Sequence, residues 1–295
     1  MNRALIKRTG GSAEMSAPAP PTPSLPLGRL DEPATVDDVV RNVDQIIDWS
    51  IKAESHIGYF AVLYKRTTLA IRAAINEGVF DDGHRMAELD VAFARRYFNA
   101  LNAYFHPDAY TGLTLPWEVA FVGDEDSEAI ILQHLMAGLN AHITFDLGLA
   151  VLAIAADSLD TLESDFNRVN ALLCSQIPGV LEAVDKLSPE LRRTRWLVPD
   201  QIGVLNVALR KLRKGAWFFA TCIAIHPQNA TEKTVNHEAW TAALGSWYLQ
   251  PSQRWTPFPR LIRAIGKHES RNVASNIAAL EPISKQPETL HEAYL

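Results

Sequence analysis

His142 and Asp146 stand four residues apart in a stretch, Ala129 to Ala156, that contains no Lys, Arg or Glu. Its only other ionisable residue is His134. Four residues is about one helical turn, so an imidazole and a carboxylate at this spacing project from one helix face. Gly138 and Ala150 continue the same ridge, and small residues there let another helix approach beside the polar pair. A helix that is apolar nearly all round belongs in the middle of a bundle. Burying an ionised carboxylate there without a partner costs several kcal/mol, so Asp146 needs a cation, a metal or hydrogen-bond donors. Two readings stay open. In one, His142 bonds Asp146, or Arg95 or Arg96 pairs with it, and the polar contact only sets helix register. In the other, His142 and Asp146 are ligands of a divalent metal ion, or an acid/base couple, at the base of a pocket.

Two residues do not make a site, and the rest of the chain supplies candidates for the missing members. Asp90 interrupts the apolar run Leu89, Val91, Ala92, Phe93, and Tyr97 follows on the same helix. With His142 and Asp146 they form the candidate catalytic set. His56 opens a helix beside Tyr59 and Tyr64, and His106 ends the helix that carries Asp90. These two histidines join His142 and Asp146 as candidate metal ligands. Tyr59, Asn140 and Trp117 are candidate substrate contacts. Carboxylates and imidazoles projecting inward from several helices are a known way to build a metal site in a bundle. The repeated Glu-x-x-His of diiron bundles is absent. Asp37-Asp38 and Asp81-Asp82 do not continue as Asp-Asp-x-x-Asp, and both sit at helix starts, where acids suit the dipole. No Gly-x-Ser-x-Gly, phosphate-binding loop or dinucleotide fingerprint occurs.

Helical periodicity positions these residues. Thr35 can cap a helix with Asp37 and Asp38 in its first turn and a Val/Ile stripe from Val36 to Ile47. A second helix runs from about His56 to Glu77 and stops at Gly78. A third starts near Asp82 or Gly83 and carries Met86 to Tyr104. The longest follows Ser127 and reaches about Ala156. Further helical stretches fall at about 160–176, 179–187, 200–225, 231–249 and 258–280, punctuated by prolines. No strand alternation stands out. The expected fold is all-α, a multi-helix bundle around a central apolar helix at about 127–156. The expected organisation is a flexible Pro-rich leader (1–34), a single helical domain (35–280) and a C-terminal tail (281–295). Residues 106–126 read as a long loop tethered at both ends to the site, either a lid over it or a plug of the bundle end.

Composition bounds the function classes. The 295 residues are 47 % hydrophobic and 21 % charged, which supports a sizeable core. Lys+Arg 28 against Asp+Glu 34 leaves a net charge of −6, a poor match to a general nucleic-acid-binding surface. The two cysteines, Cys174 and Cys222, read as buried reduced thiols in helical surroundings. No secretory apolar region follows Arg3, Lys7 and Arg8, and no uninterrupted apolar run is long enough to span a bilayer. A cytoplasmic location without a membrane span is the expectation. Oligomeric state is open.

Three phrases, GYFAVLYKRTT (58–68), LDVAFARRYFNAL (89–101) and NAHITFDL (140–147), resemble a bacterial, all-helical family catalogued as a domain of unknown function. The resemblance covers roughly residues 40 to 225 and implies an all-helical fold. It marks Asp90, Arg95, Arg96, Tyr97, Asn140, His142 and Asp146 as matched positions; His56 and His134 lie outside its motifs. It implies no reaction. Taken together, these features lead us to expect an enzyme acting on a hydrophobic small molecule inside the bundle. The alternative is a non-catalytic ligand-binding or scaffold protein in which the His/Asp pair is structural.

Overall fold

In the computed structural model, residues 25–123, 129–193, 200–252, 254 and 257–294 are described. Among them the regular structure is helical throughout. Thr35 opens α1 (Val36–Ala53) with a reciprocal cap: its hydroxyl accepts from the Asp38 N–H at 3.2 Å, and the Asp38 carboxylate accepts from the Thr35 N–H at 2.9 Å. Val39, Val43, Ile46 and Ile47 form the buried stripe. Next comes α2 (Ile57–Asn76), followed by Gly78 at φ 69°, a left-handed turn that glycine adopts without strain. Asp82 then caps α3 (Gly83–Phe105) by accepting from the Arg85 N–H at 2.9 Å.

The central apolar helix is a continuous rod, Ile131–Ala155, of 25 residues. It is an α-helix at each end, α5 (Ile131–Leu139) and α6 (Leu147–Ala155), with a π-helical segment, Asn140–Asp146, between them. By length and composition alone the rod could cross a membrane, but 67 % of its most apolar stretch is buried inside the protein. α2 packs on α5, and α3 on α6; from the other side come α9 (Gln201–Ile225) and α10 (Ala230–Leu249). Two glycines set how closely neighbours approach. A Cβ on Gly138 would lie 2.6 Å from Phe60 Cγ on α2, and one on Gly148 would lie 2.8 Å from the Ala216 carbonyl on α9. The rod also joins two apolar cores. One gathers α1, α2, α3, α4 (Leu115–Val122) and α12 (Val273–Ser284); the other packs α6, α7 (Leu159–Leu187) and α9.

Several boundaries differ from the sequence expectation. Residues 1–24 of the expected leader, and 124–126 of the loop, lie outside the described residues. The rest of the leader is a strap. Leu27 and Leu30 are buried, Asn102 on α3 bonds both the N–H and the carbonyl of Leu30, and the Arg95 guanidinium donates to the Pro33 carbonyl at 3.0–3.1 Å. Proline content marked this stretch as flexible, but Pro-rich chain keeps its backbone polar groups unpaired and can dock through them. The expected tail is docked too. Arg66 donates to the carbonyls of Ile283 and Gln286, and Gln176 exchanges two hydrogen bonds with Glu288.

The stretches at 160–176 and 179–187 are one helix, α7, that passes through Pro178. Buried Leu172, Cys174, Ala183 and Val184 hold the helix across a residue that costs about 3 kcal/mol in an unsupported interior. After α7 come α8 (Pro189–Arg193), α9 and α10. The expected helix at 258–280 is two, α11 (Pro257–Gly266) and α12. Eight residues of the expected loop 106–126 are helical: Pro116 sits in the first turn of α4, and Trp117 and Phe121 bury their rings.

Candidate functional site

The π-helical segment is where the chemistry gathers. Its closing bond runs from the Leu147 N–H to the His142 carbonyl, five residues back instead of four. Such segments are rare and recur at functional sites. Here α10 braces it: Asn140 Nδ2 donates to the Thr241 carbonyl at 2.8 Å, and His237 Nε2 donates to the Thr144 carbonyl at 2.7 Å. His142 and Asp146, both buried, face the opposite neighbours, α2, α3 and α4.

Asp146 has found its partners. Arg96 Nε on α3 donates to Oδ1 at 2.7 Å, and Trp117 Nε1 on α4 donates to Oδ2 at 2.6 Å. His142 Nδ1 lies 3.8 Å from Oδ2, close enough for charge to be felt and too far for a hydrogen bond. Of the two arginines considered from sequence, Arg96 takes the carboxylate. Arg95 points to the strap, at Pro33 and Glu32.

Aromatic rings enclose the imidazole. Phe93 stacks flat on it, with centroids 3.5 Å apart and planes 8° from parallel. Tyr64 meets it edge-on at 4.7 Å and Phe60 at 5.6 Å, while Trp117 and Tyr97 stand at 5.9 and 6.1 Å. Tyr97 in turn stacks on Trp117 at 4.7 Å. Burial holds the His142 imidazole below the ordinary histidine range, against the opposing pull of Asp146, so the ring is neutral at pH 7. Burial also pushes the Asp90 carboxyl up to about 7, and pushes the Tyr97 and Tyr64 hydroxyls upward, Tyr64 further by the nearby Asp90. The Asp90 carboxyl is therefore poised between its two protonation states near neutrality, and both phenols stay protonated.

Several of these buried groups have no hydrogen-bond partner among the described residues: both ring nitrogens of His142, Asp90 Oδ2, Tyr97 Oη, and Tyr64 Oη beside the Thr68 hydroxyl. Buried polar atoms are normally paired, and a concentration of exceptions is a mark of function. The cluster can exchange protons and can offer hydrogen bonds to a polar atom brought among aromatic walls. Phe93 and the Arg96 side chain, three residues apart on α3, are its partly exposed members and face the solvent side.

Not every sequence candidate joins this cluster. His142, Asp146, Asp90, Tyr97 and Trp117 come together. His56 and Tyr59 lie elsewhere: His56 stacks on His134 at 4.3 Å, and the Tyr59 hydroxyl accepts from Asn276. His106 caps the end of α3, where its carbonyl accepts from the Ala109 and Tyr110 N–H groups. Asn140 faces α10. The four candidate metal ligands are thus not gathered, and among the described residues no three His, Cys, Asp or Glu side chains group as metal ligands. His56 and His106 sit at the ends of α2 and α3, whereas His142 meets the middle of both helices. Sequence reasoning missed Phe60, Tyr64 and Phe93 as site walls. The signal was there: Phe60 and Tyr64 are one turn apart on α2, as Phe93 and Tyr97 are on α3.

No curated protein and no solved structure matches the chain. The profile of a family of unknown function, DUF5995, matches residues 36–251, a span that holds the whole His142 cluster, and the chain belongs to that family.

Proposed function

We propose that the protein is an enzyme that moves a proton on a small, largely apolar molecule held against His142 inside the bundle. The observation that carries this reading is the set of buried, unbonded polar atoms on His142, Asp90, Tyr97 and Tyr64 within aromatic surroundings. In this reading Phe93 swings off the imidazole to admit the molecule. Phe60, Tyr64, Tyr97 and Trp117 hold its apolar body. The Tyr97 hydroxyl and the protonated Asp90 carboxyl donate to its oxygen, and neutral His142 accepts the proton. Asp146, held in place by Arg96 and Trp117, stabilises the imidazolium from 3.8 Å.

The test begins with a panel of small phenols, alcohols and ketones, followed by ligand-observed NMR and imidazole 15N shifts of His142. Molecules that bind are then assayed in D2O for exchange of their acidic C–H. We expect wild type to accelerate exchange and His142→Gln to bind, stay folded and lose at least about 100-fold of that rate. Equal exchange by both proteins, or no binder in the panel, would sink the enzyme reading.

A second reading is favoured by one observation, the Asp146 carboxylate saturated by α3 and α4 together. Here the pair braces the bundle and the protein binds or scaffolds without catalysis. This reading expects His142→Gln to lose stability and nothing else.

A further inference from the structure

Between α2 and α7 runs a groove whose polar floor is buried. Arg66 on α2 and Ser175 and Gln176 on α7 are each no more than 5 % exposed. Gly179, three residues beyond Gln176, leaves α7 bare where the Arg66 guanidinium crosses it: a Cβ there would lie 2.8 Å from Nη2. The chain's own residues 286–294 fill this groove. They follow α12, form no α-helix, and most of them are exposed.

The groove reads backbone more than side chains. Gln176 Nε2 donates to the Glu288 carbonyl at 2.7 Å, while its Oε1 accepts from the Glu288 N–H at 2.9 Å. In extended chain the N–H and C=O of one residue point to the same side, and a carboxamide, a donor beside an acceptor, matches both. Ser175 Oγ accepts from the His291 N–H at 2.9 Å, and Arg66 Nη1 donates to the carbonyls of Ile283 and Gln286 at 2.6 and 2.7 Å. Two side chains of the segment also take part. Leu290 packs on the core formed by α6, α7 and α9, and the Glu288 carboxylate stands 3.7 Å from Arg66 Nη2. That distance is too long for a hydrogen bond, and Arg66 Nε and Nη2 have no hydrogen-bond partner among the described residues. Leaving part of a buried guanidinium unbonded is expensive, so the resident segment is an imperfect occupant. A carboxylate that closed on Nε and Nη2 would make the bidentate pair that guanidinium favours.

We propose that the α2–α7 groove is a docking site for an extended segment of a partner protein, one with an acidic residue followed two positions later by an apolar one. Residues 286–294 hold the groove until that segment displaces them. Main-chain bonds to Gln176 and Ser175 supply affinity, while Arg66 and the Leu290 slot select the sequence. Alternate residues of an extended chain face the same way, so the acid-x-apolar spacing brings both side chains to the groove. Displacement lowers the partner's apparent affinity by the fraction of molecules whose groove is open. Arg66, Ser175 and Gln176 lie inside the family match, and the resident segment lies beyond its end at residue 251.

The experiment uses the full chain with its own segment released by Glu288→Pro and Leu290→Asp, which remove the N–H, the carboxylate and the apolar anchor. The probe is a fluorescent, end-capped peptide of residues 283–294, followed by anisotropy. We expect one-to-one binding to the released chain, about tenfold tighter than to wild type, whose groove is occupied. Methylating the Glu288 nitrogen of the peptide should weaken binding about tenfold, and Glu288→Lys in the peptide by a similar factor. A peptide library varied at these two positions should return an acid at the first and an apolar residue at the second. Gln176→Leu in the released chain should abolish binding, with circular dichroism confirming the fold; the methylated peptide makes the same test with the protein untouched. The proposal is overturned if amide exchange at His291 shows the doubly substituted segment still docked, or if the peptide does not saturate. It is equally overturned if wild type and released chain bind alike, if methylation changes nothing, or if the library returns no acid.

Discussion

The protein holds two histidine-centred regions, and their surroundings assign opposite roles to charge. His142 is sealed among Phe60, Tyr64, Phe93, Tyr97 and Trp117, where burial keeps the imidazole neutral and the Asp90 carboxyl protonated up to about 7. His56 stacks on another histidine at the edge of an open cleft rimmed by Arg263, Lys267 and Arg271. In the first region ionisation is expensive, and each charge that remains is locked to a partner. In the second, the charge stands at the surface, on the exposed Arg263, Lys267 and Arg271. A histidine is therefore not a site by type; the dielectric around it decides whether its ring stays neutral among apolar walls or stands beside exposed charge.

Titration should separate the two most widely. The Asp90 carboxyl keeps its proton to about pH 7 in the folded protein and loses it near 3.8 when unfolded. Between those values the folded state binds more protons, so stability falls as pH rises, by about 4 kcal/mol in all. Asp90→Asn removes this loss, and its advantage over wild type should grow from pH 4 to pH 8 in urea unfolding. His142 acts with the opposite sign: its lowered pKa means the unfolded chain takes up a proton first, so stability falls as pH drops below about 6.5. Asp90→Asn should expose that acid-side decline on its own. Parallel profiles for variant and wild type would mean that Asp90 is solvated.

Removing the locked charge comes next. Asp146→Ala leaves Arg96 and Trp117 without their acceptor and should cost about 3 kcal/mol, measured by urea unfolding. Glu269→Ala in the open cleft removes an acceptor at the start of α5 and should cost about 1 kcal/mol. Comparable losses would erase the contrast between the regions. A smaller effect tests packing: Gly138→Ala places a methyl 2.6 Å from Phe60 Cγ and should cost about 2 kcal/mol through overpacking. It should also shift the His142 ring signals, because Phe60 is one of the walls. The smallest effect belongs to the rim, where Arg263→Glu should change stability by no more than about 0.5 kcal/mol in urea unfolding.

Much of the frame was legible in the residues alone. The Thr35 cap, the stop at Gly78, the start at Asp82 and the central apolar rod all depend on local chemistry, on caps, glycine conformation and 3.6-residue periodicity, and the chain carries those signals in short windows. The absence of Lys, Arg and Glu around His142 and Asp146 also forced the pair inward and required a partner for the carboxylate. Which partner was a tertiary matter. Arg95 and Arg96 are neighbours, and only the angle at which α3 crosses the rod sends one to the strap and the other to Asp146. Trp117 read as part of a loop, because Pro107, Gly112 and Pro116 break periodicity locally, yet burial against α3 and the rod stabilises a short helix there. The π-helical turn has no sequence signature of its own; it depends on α10, about a hundred residues away, whose His237 side chain donates to the Thr144 carbonyl and whose Thr241 carbonyl accepts from Asn140. The His56 cleft likewise needs α2, α5, α11 and α12 to meet. Local free energies select helices and their ends, whereas the pairing of distant charges and rings depends on how those helices cross, which no window of sequence contains.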